Sequence, residues 1–199
     1  MLKFIGSLLI IISLSVSGYA QNRPIKILDT IENNRIVIYA TNENFYDVDI
    51  LVTVKGTGFK QRGGTPRLTR VPSASRVKVQ SLVIERGKKP LYVCNLVVND
   101  SLSRRVLKPQ FTKVKVEALR PIVLYTSERC TTCDTLISNL NKSPYKYKTI
   151  NLSESLEKAS ALEKYVPGID TITSSLFNLG GRLYTDINTY DQLLEKLLE

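Results

Sequence analysis

Two of the three cysteines in this chain are spaced Cys-x-x-Cys, at Cys130 and Cys133, and the hydrophobic pattern changes abruptly around them. The run before them, PIVLYT at 121–126, is short and continuously apolar, which is typical of a strand buried on both faces. From Thr131 onwards, apolar side chains recur three and four residues apart, which predicts a helix. We therefore expect the cysteine pair at the turn from a buried strand into a helix.

The rest of the C-terminal region continues to alternate between the two patterns. A strand, a helix, the two strands of a hairpin and a closing amphipathic helix are predicted at 145–152, 153–166, 172–179, 182–185 and 188–199. The predicted order of elements is β-α-β-α-β-β-α.

That order, with the cysteine pair at the first strand-to-helix turn, resembles the thioredoxin superfamily, and most closely its compact glutaredoxin-like core. The resemblance covers residues 121–199 and rests on IVLYTSERCTTC together with the order of the elements. It implies a thioredoxin-like α/β fold and a redox-active Cys130–Cys133 disulfide that is exchanged with protein substrates without a cofactor. Aligning the glycine hairpin with that of the family places Ser174, after Thr173, where the family usually has a cis-proline, so the resemblance implies that both residues bind substrate.

The predicted position also favours redox chemistry at Cys130. A cysteine at a helix N-terminus faces unpaired backbone N–H groups and the positive end of the helix dipole, which stabilise a thiolate. Arg129 adds a cation beside it, and Thr131 and Thr132 add hydroxyls and backbone donors. Cys133 lies one turn further on the same helix face. In this interpretation Cys130 is the nucleophile, and Cys133 is the thiol that breaks the mixed disulfide.

Two alternatives stay open for the pair. In the first, the protein is a non-catalytic binding or assembly module of the cell envelope, and Cys130–Cys133 is a static disulfide of the kind common in exported proteins. In the second, the pair ligates zinc or an iron–sulfur cluster. Two thiols in a chain without histidine leave such a coordination sphere half empty, so this alternative needs a dimer or an outside thiol, and no metal site is predicted within one chain.

Residues 1–20 have the layout of a secretory signal peptide. Lys3 precedes an apolar run, and Gly18 and Ala20 occupy the two positions that signal peptidase recognises. The run is shorter than the ~20 apolar residues that a membrane-spanning helix needs. We therefore expect cleavage after Ala20, a periplasmic or secreted mature protein, and no membrane span after cleavage.

Residues 21–118 predict an all-β domain. Short apolar or alternating runs are separated by clusters of Gly, Pro, Asn and Ser, and none of them has helical periodicity. We expect an antiparallel β-sandwich that resembles an immunoglobulin-like domain, joined at 118–121 to the domain at 121–199. Its clearest predicted strands lie at 46–54, 76–85, 91–98 and 111–119. Cys94, inside the third of these, is expected to be a small buried hydrophobic residue.

The positive charge of the chain is concentrated in this first region. Residues 21–119 carry 18 Lys/Arg and 8 Asp/Glu, whereas residues 120–199 carry 9 and 10. Because export keeps the protein away from most nucleic acid, and because the cations are scattered rather than interleaved with aromatic residues, no nucleic-acid partner is predicted. An anionic cell-envelope surface is the candidate partner that such a charge favours. The cations first expected to meet it lie in the loop at 58–70 and are Lys60, Arg62, Arg67 and Arg70.

Overall fold

The computed structural model describes residues 22–60, 66–99, 101–169 and 173–199. The predicted signal peptide at 1–20 lies outside these residues, as does Arg62 of the basic loop. Within the described ranges the chain forms three β-sheets and three short helices. In the same ranges, no helix has both the length and the apolar character needed to cross a membrane.

The first half of the chain builds two antiparallel sheets. Their strands are β1 (Lys26–Glu32), β2 (Arg35–Asn42), β3 (Val48–Thr57), β4 (Thr69–Val71), β5 (Ser75–Val83), β6 (Leu91–Asn99) and β7 (Phe111–Lys113). The strand order is β1-β2-β5-β7 in one sheet and β4-β3-β6 in the other. The two sheets share one hydrophobic core, in which Ile36 and Ile38 of β2 meet Ile50 of β3. The period-two spacing of Ile36 and Ile38 places both side chains on the same inner face of the sheet.

The β1–β2 hairpin is a feature that the sequence analysis did not name. Asn33 and Asn34 form its two-residue turn, with φ angles of 49° and 59°. Asparagine tolerates this left-handed conformation better than most residues. Two such residues in succession fit a type I′ turn, whose twist matches that of the flanking strands.

The second half of the chain builds the third sheet and all three helices. Its elements are β8 (Ile122–Thr126), α1 (Cys133–Lys142), β9 (Tyr147–Asn151), α2 (Leu156–Glu163), β10 (Leu176–Leu179), β11 (Arg182–Tyr184) and α3 (Tyr190–Leu198). The strand order is β11-β10-β8-β9, with β8 and β9 parallel and the other pairs antiparallel. Leu136 and Leu140 of α1 and Leu193 of α3 are fully buried against Leu124 and Phe177 of this sheet.

The fold class predicted from the sequence is wrong. The prediction combined an all-β antiparallel sandwich with a thioredoxin-like β-α-β-α-β-β-α domain. The described residues instead form three separate sheets, with many more residues in strands than in helices, and the helices are only 10, 8 and 9 residues long. The middle helix α2 buries none of its residues, and its Leu156 is 75% exposed, so α2 does not provide the packed helical layer of an α/β fold. The periodicity of the apolar residues predicted where the elements lie. It did not show how few helical residues pack against the sheet.

The segment that follows β7 also differs from its prediction. A single strand was expected over 111–119, but β7 ends at Lys113. Val116 instead forms a parallel bridge with Tyr145 and is completely buried. Val116 and Ala118 therefore pack against the second half of the chain. Their spacing in the sequence is the same as it would be in a longer strand, so the pattern could not show this difference.

Candidate redox site

Cys130 and Cys133 form a disulfide, and their Cα atoms are 5.6 Å apart. The N–H of Cys130 donates to the carbonyl oxygen of Ser127 at 3.1 Å, which closes the turn after β8. Cys133 is the first residue of α1. The disulfide therefore joins the turn to the first residue of the helix, where the sequence predicted the pair to lie.

The two cysteines differ in exposure. Cys133 is only 4% exposed, whereas Cys130 is half-buried. In thiol–disulfide exchange, a thiolate attacks one sulfur of the disulfide and the other sulfur leaves. Because Cys133 is almost fully covered, Cys130 is the more accessible cysteine of the pair.

Thr132 occupies the N-cap position of α1 without capping it. Its side chain accepts no hydrogen bond from the first turn. Its hydroxyl oxygen lies 3.9 Å from the Cys130 sulfur instead. The first N–H groups of α1 therefore lack a side-chain acceptor, and they carry the partial positive charge of a helix N-terminus. A thiolate formed at Cys130 would meet this charge together with the Thr132 hydroxyl.

Thr131, which was predicted to support the thiolate, faces the opposite loop. Its N–H donates to the carbonyl oxygen of Thr173 at 3.1 Å, and its hydroxyl donates to the same oxygen at 3.4 Å. The structure thus brings Thr173, a predicted substrate-binding residue, against the cysteine motif. The hydroxyl of Ser174 donates to the carbonyl oxygen of Thr185 at 2.9 Å and so bonds away from the motif. No cis peptide bond occurs among the described residues, so the bond between Thr173 and Ser174 is trans.

Arg129 lies beside the motif in an exposed position. Within the described residues it forms no hydrogen bond with Cys130, so its role in supporting a thiolate stays a prediction, as does that of Thr131. Of the two threonines expected near the thiolate, Thr132 is the one whose hydroxyl lies near the Cys130 sulfur.

The opposite end of α1 is held by Lys115, a residue that sequence reasoning missed. The Lys115 ammonium group donates to the carbonyl oxygens of Leu140 and Asn141 at 3.0 and 2.9 Å, and also to that of Ser143. The last carbonyls of a helix have no partner within the helix and carry partial negative charge. Lys115 therefore anchors the helix that carries Cys133, although it precedes that helix by 18 residues.

Cys94 lies on β6, and it is half-buried rather than fully buried as expected. It packs against the core that the first two sheets share. Burial, and secondarily the negative charge of Asp29, raise the pKa of its thiol. A raised pKa lowers the thiolate fraction, and the thiolate is the reactive form.

Among the described residues, no three side chains of His, Cys, Asp or Glu approach one another closely enough to hold a metal ion. Comparison with protein-family models, with curated proteins and with solved structures found no match to this chain.

Proposed function

We propose that this protein exchanges disulfides with other proteins through Cys130 and Cys133. The observation that carries the proposal is the asymmetry of the disulfide, with an accessible Cys130 and a covered Cys133 at a helix N-terminus that no side chain caps. Exchange needs this asymmetry, because one cysteine must bond to the partner while the other stays free to break that bond.

In the oxidising direction, a substrate thiolate attacks the Cys130 sulfur. The Cys130–Cys133 bond breaks, and its electron pair leaves on the Cys133 sulfur, which takes up a proton. A second substrate thiolate then attacks the substrate sulfur of the mixed disulfide, and Cys130 leaves as a thiolate that the helix N-terminus stabilises. Two substrate thiols have become a disulfide, and the protein disulfide has become two thiols. The reverse sequence reduces a substrate, and neither direction uses a cofactor.

The setting we propose for this chemistry is outside the cytoplasm. The signal-peptide layout of residues 1–20 supports export, and an oxidising compartment preserves the disulfide. Protein thiols and disulfides are then the partners of the site. The basic first half supports additional contact with an anionic envelope surface.

A second candidate function is favoured by the bonds between Thr131 and Thr173. Both the N–H and the hydroxyl of Thr131 are bonded to one carbonyl oxygen of the facing loop. This ties the motif to its surroundings, as expected if Cys130–Cys133 only stabilises a binding module. A static disulfide of this kind would react with no partner.

The two functions are separated by trapping with oxidised glutathione. The protein is prepared with Cys94→Ser in every variant, so that only the motif cysteines can react, and it is reduced before the assay. Cys133→Ser should form a stable mixed disulfide at Cys130, because the residue that resolves it is gone. Cys130→Ser should form almost none, since Cys133 is covered. Equal absence of adducts in both variants would favour the static disulfide.

The reduction potential of the protein with both motif cysteines provides an independent measurement. Exchange catalysts have potentials between about −120 and −270 mV, whereas structural disulfides lie below about −300 mV. A potential below this limit, together with a loss of stability on reduction, would overturn the proposal.

A further inference from the structure

A groove of about 510 Å³ runs along the second half of β5. Residues 78–83 line it, together with Arg35 of β2 and Lys60. Of the loop cations predicted to meet an anionic partner, Lys60 lies in this groove. Arg67 is exposed elsewhere, and Arg70 is bound to the buried carboxylate of Asp49. The cations that line the groove are Arg35, Lys60 and Lys78, and only Lys60 belongs to the set that the sequence indicated.

The groove coincides with a gap in the pairing of β5. Strand β7 pairs only with residues 75–77 of β5. At the other end of β5, the N–H of Lys60 donates to the carbonyl oxygen of Val83 at 2.8 Å, and the N–H of Glu85 donates to that of Gly58 at 3.0 Å. Between these contacts, residues 78–82 have no strand partner on this edge among the residues that the structure describes.

The backbone alternation shows which groups face the gap. In an antiparallel ladder, successive residues direct their N–H and C=O groups to opposite neighbours. Ile84 donates to the carbonyl oxygen of Asn34 and thus faces the β2 side, whereas the carbonyl of Val83 faces the other side. Ser81, two residues before Val83, therefore directs its N–H into the gap. An irregularity in the β2–β5 register lies next to it, between the Ile38 and Tyr39 pairs. An unpaired edge of this kind is a template for a further strand.

The cations around the gap are exposed and lack carboxylate partners. Arg35, Lys60 and Lys78 form no salt bridge within the described residues, and no Asp or Glu lines the groove. Arg35 is held in position because its Nε donates to the hydroxyl oxygen of Ser81 at 2.7 Å and its Nη2 lies 3.4 Å from the Ser81 carbonyl oxygen. The groove therefore presents a preorganised guanidinium and two ammonium groups.

The two neighbouring carboxylates have partners of their own. Glu32, which is opposite Arg35 in the β1–β2 register, accepts a hydrogen bond from the hydroxyl of Thr30 at 2.8 Å. Glu85 forms an ion pair with Lys88 at 2.5 Å. Within the part of the chain that the structure describes, neither carboxylate forms an ion pair with Arg35, Lys60 or Lys78.

We infer that the open edge of β5 binds an extended, acidic polypeptide segment of another protein as an additional strand. The segment bonds through its backbone to the edge at residues 78–82, where the Ser81 N–H faces the gap, while the Ser81 carbonyl oxygen already accepts a bond from Arg35. Its Asp or Glu side chains pair with Arg35, Lys60 and Lys78. A sulfated polysaccharide matches the cations but offers no regular donors and acceptors for the strand edge, so the edge favours a polypeptide. This inference does not depend on the redox function.

The test uses a fluorescein-labelled octapeptide of alternating Glu and Val, with binding followed by fluorescence anisotropy. The Lys60→Glu/Lys78→Glu variant should bind about tenfold more weakly or worse, because two attractive charges become repulsive. The matched variant is Lys55→Glu/Lys148→Glu, which changes the net charge equally at two exposed lysines outside the groove. It should keep its affinity within about twofold. Equal weakening by both variants would show attraction by overall charge only and would overturn the inference.

A second comparison uses the unaltered protein, so it does not depend on the folding of a variant. The same octapeptide, N-methylated at alternate amides on the edge that would pair, keeps its charge but loses its strand donors. It should bind at least about tenfold more weakly. Undiminished binding would overturn strand addition. Tighter binding of dextran sulfate than of the unmodified peptide, abolished by the Lys60→Glu/Lys78→Glu variant, would identify a polyanion site instead.

Discussion

The buried ion pair between Asp49 and Arg70 makes a sharp prediction about stability. The side chain of Asp49 is 0% exposed, and that of Arg70 is 16% exposed. Asp49 accepts hydrogen bonds from Arg70 Nε at 2.8 Å, from Arg70 Nη2 at 3.1 Å and from the N–H of Ser103 at 2.6 Å. Arg70 also donates to the carbonyl oxygen of Ser103 at 2.9 Å. The pair thus fastens the segment around Ser103 to β3 and β4.

Replacing Asp49 with Asn keeps the shape of the side chain and removes its charge. Removing one partner of a buried ion pair costs about 3–5 kcal/mol, because the other charge is left without compensation. Since Arg70 retains some contact with water, we expect Asp49→Asn to lower the free energy of unfolding by about 3 kcal/mol at pH 7. The control is Glu43→Gln, which breaks an ion pair with Lys26, whose side chain is 60% exposed. That change should cost less than about 1 kcal/mol.

The pH dependence of this difference follows from the pKa of Asp49. The hydrogen bonds from Arg70 lower this pKa against the opposing effect of burial, and the N–H of Ser103 lowers it further. A carboxyl whose folded-state pKa lies below its unfolded value of ~3.9 stabilises the fold fully above that value, and this stabilisation is lost as the pH falls through the folded-state pKa. Urea unfolding, followed by circular dichroism between pH 7 and pH 2, should therefore show the wild type and Asp49→Asn converging in acid. A difference below about 1 kcal/mol at pH 7, or one that is unchanged at pH 2, would refute the reasoning.

Two further predictions concern Lys115 and Cys94. Lys115→Met should lower the free energy of unfolding by about 1–3 kcal/mol, because three carbonyl oxygens lose a charged donor. The control is Lys113→Met, at an exposed lysine, which should change the free energy of unfolding little. Equal melting temperatures for both variants would contradict the anchoring role of Lys115. Alkylation of Cys94 in the oxidised protein should have a midpoint above pH ~8.5, the unperturbed thiol value, because burial and the charge of Asp29 raise the pKa of its thiol. Alkylation at neutral pH as fast as that in urea would contradict the packing of Cys94 against the core.

The elements that local pattern determines were predictable from the sequence. The apolar run at 121–126 is β8, at Ile122–Thr126. The stripe from Cys133 to Leu140 belongs to α1, where Cys133, Leu136 and Leu140 are the buried residues. Because these signals lie within a few residues of one another, the position of the cysteine pair before a helix followed from the sequence alone.

Contacts between distant segments were not predictable. Asp49 alternates with apolar residues along β3, a pattern typical of an exposed face, yet its side chain is completely buried and bonded to Arg70 and Ser103. The helix predicted at 153–166 is limited to Leu156–Glu163. The local sequence does not show how weakly this helix is packed. The number of helical residues that pack against a sheet depends on contacts between distant segments. The predicted fold class was wrong because the sequence pattern does not contain this information.

The same distinction applies to the redox site. The Cys-x-x-Cys spacing is compatible with both disulfide exchange and a static disulfide. The unequal exposure of the two cysteines depends instead on the position of α1 in the fold. A helix of 10 residues is marginal in isolation, so its position must come from tertiary contacts. Leu136 and Leu140 fix one face of α1 in the core, and Lys115 holds its C-terminal end. Since Cys133 is the first residue of α1, its burial depends on the position of this helix, and therefore on residues that no motif search would select.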